Sequence, residues 1–179
     1  NQVLVIGGGA AGLLAAGRAA QKGASVLLLE KNKMMGRKLR ITGKGRCNVT
    51  NAGDIRQFIE QYPGQGRFLY SAFSRFFNHD LCQLLESQGV ELKTERGNRI
   101  FPASDSAHVV AEGLADFAQK AGARLWSNTE VVGLLWEDTP EGKKVLGAEI
   151  LTKNGKAQLL ADTVIIATGG LSYPLTGST

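Results

Sequence analysis

Three stretches of this 179-residue sequence predict an α/β fold built around a parallel sheet. At the N-terminus the aliphatic residues Val3, Leu4, Val5 and Ile6 run into Gly7-Gly8-Gly9-Ala10-Ala11-Gly12; an Ala-rich helical stretch over residues 10–22 and a second apolar run over residues 25–29 follow, ending in Glu30. Near the C-terminus an apolar run over residues 164–167 ends in Thr168-Gly169-Gly170. Between them, residues 124–136, 145–152 and 157–160 carry the pattern of three antiparallel strands, with Asn154-Gly155 as a hairpin turn. Short, wholly apolar strands belong to sheets covered on both faces, and glycines standing where a strand turns into a helix mark a βαβ nucleotide unit. The predicted fold is therefore Rossmann-like, with an inserted antiparallel β-meander.

Each part of the N-terminal unit has a mechanical reason. Gly7 permits the tight turn, Gly9 lets backbone approach a pyrophosphate with no Cβ in the way, and Gly12 lets the helix pack on the strand. The pyrophosphate then meets the positive end of the helix, with Ala10 and Ala11 in its first turn. Glu30, eighteen residues after Gly12, stands where a carboxylate accepts hydrogen bonds from a ribose hydroxyl. A carboxylate there repels a 2′-phosphate, so FAD or NAD is expected and NADP is not. The alternative is a buried Gly-rich turn that holds no ligand.

Composition bounds the rest. The hydrophobic content of 43% is that of an ordinary globular domain, and no stretch is long and apolar enough to span a membrane. The N-terminal apolar run has no basic segment before it, so it is not a signal peptide, and the expected location is cytoplasmic. Cys47 and Cys82 form no C-x-x-C pair, which argues against a disulfide framework or a zinc site. The sequence reads as a fragment, lacking an initiator Met and stopping in a turn-like stretch over residues 175–179. The net charge of +5 is local: between Lys31 and Arg46 lie seven basic residues and no acidic one, and the remainder carries about −2. That patch exceeds what one pyrophosphate needs, and the excess fits an anionic substrate.

In chain order, residues 31–53 read as a basic loop with a short helical piece. Residues 55–77 read as short helices packed by Phe58, Phe68, Phe73, Phe76 and Phe77, with a turn at Pro63-Gly64. Asn78 or Asp80 caps a helix carrying Leu81, Leu84 and Leu85 and stopped by Gly89, on which Cys82 is a small buried hydrophobe. Residues 90–101 form a hairpin turning at Gly97-Asn98, and a helix to about Lys120 follows, with Val109, Val110, Leu114 and Phe117 inward. His79 and His108 lie apart without clustered partners, so no metal site is expected. A bare NAD-binding unit continues in regular βα repeats, whereas here a meander intervenes. The strand that ends in Ala167-Thr168-Gly169 resembles the segment that, in two-dinucleotide-fold flavoproteins, returns beside the first strand and contacts FAD. The choice falls on FAD.

Read together, GRKLRITGKGRCNVTN and ATGGLSYPLTGST resemble the YhiN-type (BaiN/RdsA) family of FAD-dependent oxidoreductases, as do GNRIFPAS and the AHVV helix between them. The GRCN block is more specific than the glycine fingerprint. The resemblance implies that the chain is the N-terminal segment of a discontinuous FAD-binding domain: nucleotide unit 1–30, cofactor loop 31–53, helical segment 54–89, hairpin and helix 90–122, meander and return strand 123–170. It places Gly7, Gly9, Ala10, Ala11 and Gly12 at the pyrophosphate and Glu30 at the adenosine ribose. Lys31, Gly36, Arg37 and Lys38 would lie along the cofactor, with Val131 at the adenine through its backbone. Ala167, Thr168 and Gly169 would lie near ribose and pyrophosphate, and Gly45, Arg46, Cys47 and Asn48 would approach the isoalloxazine.

The implied chemistry is reduction of the flavin by NADH or NADPH, then hydride delivery to a polarised C=C bond in a small molecule or in uridine of ribosomal RNA. Cys47 is the candidate proton donor, a role that needs a partly exposed thiol whose pKa Lys44 and Arg46 depress. Two alternatives stand beside it: a flavin amine oxidase acting on an aminoketone, and a non-catalytic nucleotide- or RNA-binding module.

Overall fold

The structure, a computed structural model, describes residues 1–171; the turn-like stretch at 175–179 lies outside the described residues. The chain divides into two compact units, one of Asn1–Arg40 with Leu114–Thr179 and one of Ile41–Gly113.

The first unit is the nucleotide-type fold. Strand β1 (Gln2–Ile6) leads through the glycines into helix α1 (Ala10–Gln21), and β2 (Ser25–Leu29) pairs parallel with β1, Leu4 opposite Leu27. Strand β6 (Arg124–Trp126) extends the sheet beyond β2, and β10 (Thr163–Ile166) returns parallel to β1 on its other side, giving the order β10-β1-β2-β6. Val3, Leu4, Val5, Ile6 and Val26 to Leu29 are all buried, which is why both runs are apolar without alternation. Leu4, Leu27 and Leu29 face Ala148, Ile150 and Ala161, so the meander of β7 (Glu130–Thr139), β8 (Gly142–Thr152) and β9 (Gly155–Leu160) covers one side. By the period-2 rule Val3, Val5, Val26 and Leu28 face the other side. There α1 packs, and a Cβ on its Gly17 would lie 2.2 Å from the ring of Phe117 in α5 (Ala107–Lys120).

Two expectations change here. Residues 124–136 are not one strand: Ser127-Asn128-Thr129 interrupts them, Asn128 takes φ 52°, and β6 joins the parallel sheet while β7 starts the meander. The second meander turn has Lys153 and Asn154 at its centre, because Thr152 pairs with Gly155, which takes φ 108°. The first turn, around Pro140 and Glu141, is built alike, Thr139 pairing with Gly142 at φ 122°.

In the second unit β3 (Thr50–Asn51), β5 (Arg99–Pro102) and β4 (Leu92–Glu95) form a small antiparallel sheet in that order. The predicted hairpin over 90–101 is present, and its loop holds Gly97 at φ 74° and Asn98 at φ 58°. Helix α2 (Ile55–Glu60) starts with a reciprocal cap between Asp54 and Gln57. A 3-10 turn (Gly66–Leu69) and the single-turn α3 (Tyr70–Phe73) follow. The expected aromatic packing joins Phe58, Phe73 and Phe77, with ring centroids 4.8–5.9 Å apart. Phe68 departs from it and is 85% exposed.

Helix α4 (Asn78–Ser87) is capped through Asp80, whose carboxylate accepts from Phe77 N–H at 2.7 Å. Asn78 lies one residue inside the helix, where its Oδ1 accepts from His79 N–H at 2.7 Å and its Nδ2 ties the helix start to the Asn51 and Gly53 carbonyls. Cys82 is half-buried, not a core residue. Among the described residues no helix is long and apolar enough to cross a membrane, and no group of His, Cys, Asp and Glu has metal-ligand geometry.

Candidate functional site

The glycine loop sits where β1, β2 and β10 end together. Gly7 N–H donates to Leu29 O at 2.8 Å, and Ala167 N–H donates to Ile6 O at 2.8 Å. A Cβ on Gly7, whose φ is 107°, would lie 2.5 Å from Ala167 O, and one on Gly12 would lie 1.8 Å from Gly7 O. One on Gly8 would lie 2.4 Å from Met35 Sδ. Gly7 and Gly12 are required by the protein's own packing against backbone, whereas at Gly8 the Met35 side chain could give way; the three draw Ala167, Thr168 and the start of the basic loop against the turn.

Gly9 differs. Its φ of −81° is open to any residue, and a Cβ there would meet nothing within 4 Å. Neither conformation nor packing requires a glycine at this position, and the space beside its backbone is open. Gly9 is also the N-cap of α1, with no side chain capping and no acidic residue in the first turn. The first N–H to bond inside the helix is Leu13's, to Gly9 O at 2.9 Å, so the donors of Ala10, Ala11 and Gly12 point out of the helix end. Open donors with the positive end of the dipole make an anion site, and the missing Cβ leaves room for a bulky one. The residues present thus fit a dinucleotide pyrophosphate.

Glu30, at the end of β2, places its carboxylate against this loop: Oε2 accepts from Gly8 N–H at 2.7 Å. Gly36 is buried, and its N–H donates to Gly8 O at 2.7 Å, which locks the loop of 31–38 onto the glycine turn. Lys31 and Arg37 are exposed, and Lys38 Nζ donates to Gly170 O at 3.1 Å just beyond Gly169. Val131 is half-buried in β7 against the meander core. Its strand is tethered to Glu30 by Thr129, whose N–H donates to Glu30 O at 2.9 Å. Thr129 and Asn32 escaped the sequence reading because their importance lies in what they bond, not in a motif.

The GRCN block lies in the other unit. Gly43, Lys44 and Gly45 take φ of 56°, 58° and 85°, and Cys47 takes 58°, an unusual run of left-handed backbone that includes two non-glycine residues. Cys47 N–H closes the turn on Thr42 O at 3.0 Å. The thiol itself is 1% exposed, and burial pushes it up from its usual pKa, opposed only by the Thr42 contact. That reverses the premise for a proton donor, which needs access and a depressed pKa. Arg46 cannot supply the depression because its guanidinium bonds to Glu95, to Asp105 at 2.5 and 2.8 Å, and stacks 4.4 Å over the Phe101 ring. Lys93 joins the same pair, 2.7 Å from Asp105. The Arg46 and Lys93 cations hold the carboxyls of Glu95 and Asp105 below the usual range. Asn48 is exposed.

Comparison with known proteins agrees with the fold. A profile of the HI0933-like protein Rossmann domain matches residues 1–179. The ribosomal RNA dihydrouridine synthase of Haemophilus influenzae is 32% identical over 180 residues, covering 100% of this chain and 43% of that protein. The 3-dehydro-bile acid delta(4,6)-reductase of Clostridium scindens is 30% identical, covering 99% of this chain and 41% of that protein. The chain thus spans less than half the length of these curated relatives. Among solved structures, the open conformation of a flavocytochrome c3 fumarate reductase superposes with a TM-score of 0.71 at 28% identity, over 94% of this chain and 33% of that one. With its α/β Rossmann-type sheet, its glycine turn at the sheet edge and a family match along its whole length, the chain belongs to the HI0933-like Rossmann-domain family.

Proposed function

We propose that this chain is the dinucleotide-binding part of an FAD-dependent reductase that saturates activated C=C bonds, with uridine in ribosomal RNA as the substrate. The observation that carries the cofactor is Gly9: an open helix end beside a glycine that folding does not need is a cradle for a pyrophosphate. Both curated relatives bear the names of enzymes that add hydrogen across a C=C bond, one in a nucleobase and one in a steroid. The basic loop favours the polyanionic substrate of the two, RNA, over a bile acid with its single carboxylate.

When bound, FAD supplies the hydride chemistry, and NADH or NADPH is the proposed source of electrons. The chain's own residues do the holding. Ala10, Ala11 and Gly12 offer N–H donors to the pyrophosphate, Gly9 admits it, and Glu30 accepts from the adenosine ribose. Gly36, Lys38, Ala167, Thr168 and Gly169 frame the same turn, and Val131 lines the adenine side through its backbone. We assign Gly45 to Asn48 a shaping role within their own unit: the left-handed turn buries Cys47 and leaves Asn48 exposed. Cys47 is not retained as proton donor.

The test uses the full-length protein. It should purify with a flavin spectrum, and anaerobic reduction followed by addition of an unmodified rRNA fragment should reoxidise the flavin and yield dihydrouridine. A steroid enone reacting while RNA does not would reassign the substrate, and a protein that neither carries nor takes up FAD would end the proposal.

A further inference from the structure

The Glu30 carboxylate is already engaged on three sides. Besides Gly8 N–H on Oε2, Oε1 accepts from Asn32 N–H at 2.8 Å and from Asn32 Nδ2 at 2.6 Å. Asn32 is in turn held from behind: its Oδ1 accepts from Arg37 Nη1 at 2.8 Å, and its carbonyl accepts from Asn128 N–H at 3.1 Å. The backbone of Glu30 is clamped as well, its N–H donating to Trp126 O at 2.8 Å and its carbonyl accepting from Thr129. A carboxylate offers about four acceptor positions. Among the described residues three are filled, and the remaining one is on Oε2.

The order of these bonds follows from what each group can donate. A guanidinium has no acceptor, so Arg37 forces the oxygen of the Asn32 amide toward itself and the NH₂ toward Glu30. The amide then fills Oε1 and prevents the carboxylate from turning without losing its bonds to Asn32 and Gly8.

We infer that Asn32 is a positioning residue for the nucleotide: with Arg37 setting its amide, it holds Glu30 so that a single acceptor, on Oε2, is left for a ribose hydroxyl. This rests on the dinucleotide reading proposed above and deepens it. It also gives Arg37 a role through Asn32, in place of one made along the cofactor. A carboxylate with one open acceptor and no cation placed on it takes a hydroxyl donor and rejects a phosphate, which strengthens the preference for an adenosine with a free 2′-hydroxyl.

The experiment is a double-mutant cycle on FAD affinity, read by quenching of flavin fluorescence during titration of full-length apoprotein. Asn32→Asp keeps the size of the side chain but replaces the Nδ2 donor with a carboxylate facing Glu30; Asn32→Ala removes the side chain and the donor without adding charge. Each should weaken FAD binding by about ten-fold, the worth of one hydrogen bond to a charged group. In a Glu30→Ala background the same substitutions should change affinity less than about two-fold, because the route through the carboxylate is gone. Arg37→Ala should behave likewise, weaker alone and silent in that background. The melting midpoint of each apoprotein reports folding; should Asn32→Ala melt early, the isosteric Asn32→Asp carries the test. Penalties that multiply independently of Glu30 would overturn the inference, as would an Asn32→Asp protein that binds FAD like wild type. A wild-type protein without any FAD affinity would defeat the proposed function itself, a result distinct from either.

Discussion

Replacing Gly9 with Ala separates what the glycine loop does for the fold from what it does for a ligand. In the folded chain the new methyl group meets nothing within 4 Å, and φ at −81° suits any residue. Two small effects on stability oppose each other. Removing a glycine lowers the entropy of the unfolded chain, worth about 0.4–1 kcal/mol in favour of the fold. Alanine is a poorer N-cap than glycine by an amount of roughly the same size. The apoprotein should therefore melt within a few degrees of wild type, since about 1 kcal/mol moves a domain of this size by roughly 2–4 °C.

Ligand binding should respond differently. Under the proposed placement of the pyrophosphate, a methyl group at Gly9 would stand in its approach to the open N–H groups and displace at least one hydrogen bond to a charged oxygen, a loss of about 1.5–3 kcal/mol. At 1.4 kcal/mol per factor of ten, FAD affinity falls by about 10- to 150-fold. Gly12→Ala is the contrasting control: its Cβ would lie 1.8 Å from the Gly7 carbonyl oxygen, so both stability and binding should be lost. Fluorescence titration of full-length apoprotein with FAD, beside a melting curve, measures both quantities. A Gly9→Ala protein that binds FAD within a factor of two of wild type would refute the placement of the pyrophosphate.

Three further outcomes follow from packing and charge. Glu95 and Asp105 have folded-state pKa values below their unfolded ones, so their contribution is present at neutral pH, above the unfolded value, and disappears as pH falls through the folded one. Melting of the protein should show an acid-side loss that Asp105→Asn flattens; an unchanged acid limb would contradict the cluster. Burial pushes up the pKa of both Cys47 and Cys82, and Glu86 adds to it at Cys82, so access decides: buried Cys47 should react with iodoacetamide more slowly than half-buried Cys82, as followed by mass spectrometry of the native protein. Gly17→Ala should cost about 1–3 kcal/mol by driving a methyl group into the Phe117 ring, and Phe117→Leu in the same chain should recover part of that loss in urea unfolding.

What the sequence revealed tracks how local the cause was. The strands β1 and β2 were legible because burial on both faces writes an unbroken apolar run, β10 because it carries an apolar run although its residues are only half-buried or exposed, and the glycine turn because each glycine stands at a fixed spacing from the first strand. The strand predicted over 124–136 failed because its break is Ser-Asn-Thr, with Asn128 in a left-handed conformation and no Gly or Pro to announce it. Cys47 and Arg46 were misread for a different reason: the acids that engage Arg46 are 49 and 59 residues away in sequence, and no local pattern carries that pairing. Asn32 was passed over because an Asn in a basic loop looks like turn chemistry, and only its geometry to Glu30 gives it a function.

The basic run from Lys31 to Arg46 therefore does not act as one charge. Its last member is spent within its own unit, where two carboxylates accept from Arg46, while exposed Lys33 lies in the loop that folds with the nucleotide turn. If RNA is the substrate, the two ends of the run should differ in salt dependence. Each Lys or Arg that neutralises a phosphate contributes about one to the slope of log affinity against log salt concentration. Binding of an rRNA fragment to the full-length protein should lose about one unit of slope in Lys33→Ala and none in Arg46→Gln, measured on folded protein across a salt series. Equal losses at both positions would mean that Arg46 leaves Glu95 and Asp105 to meet the RNA, and the assignment of that cluster to folding would fall.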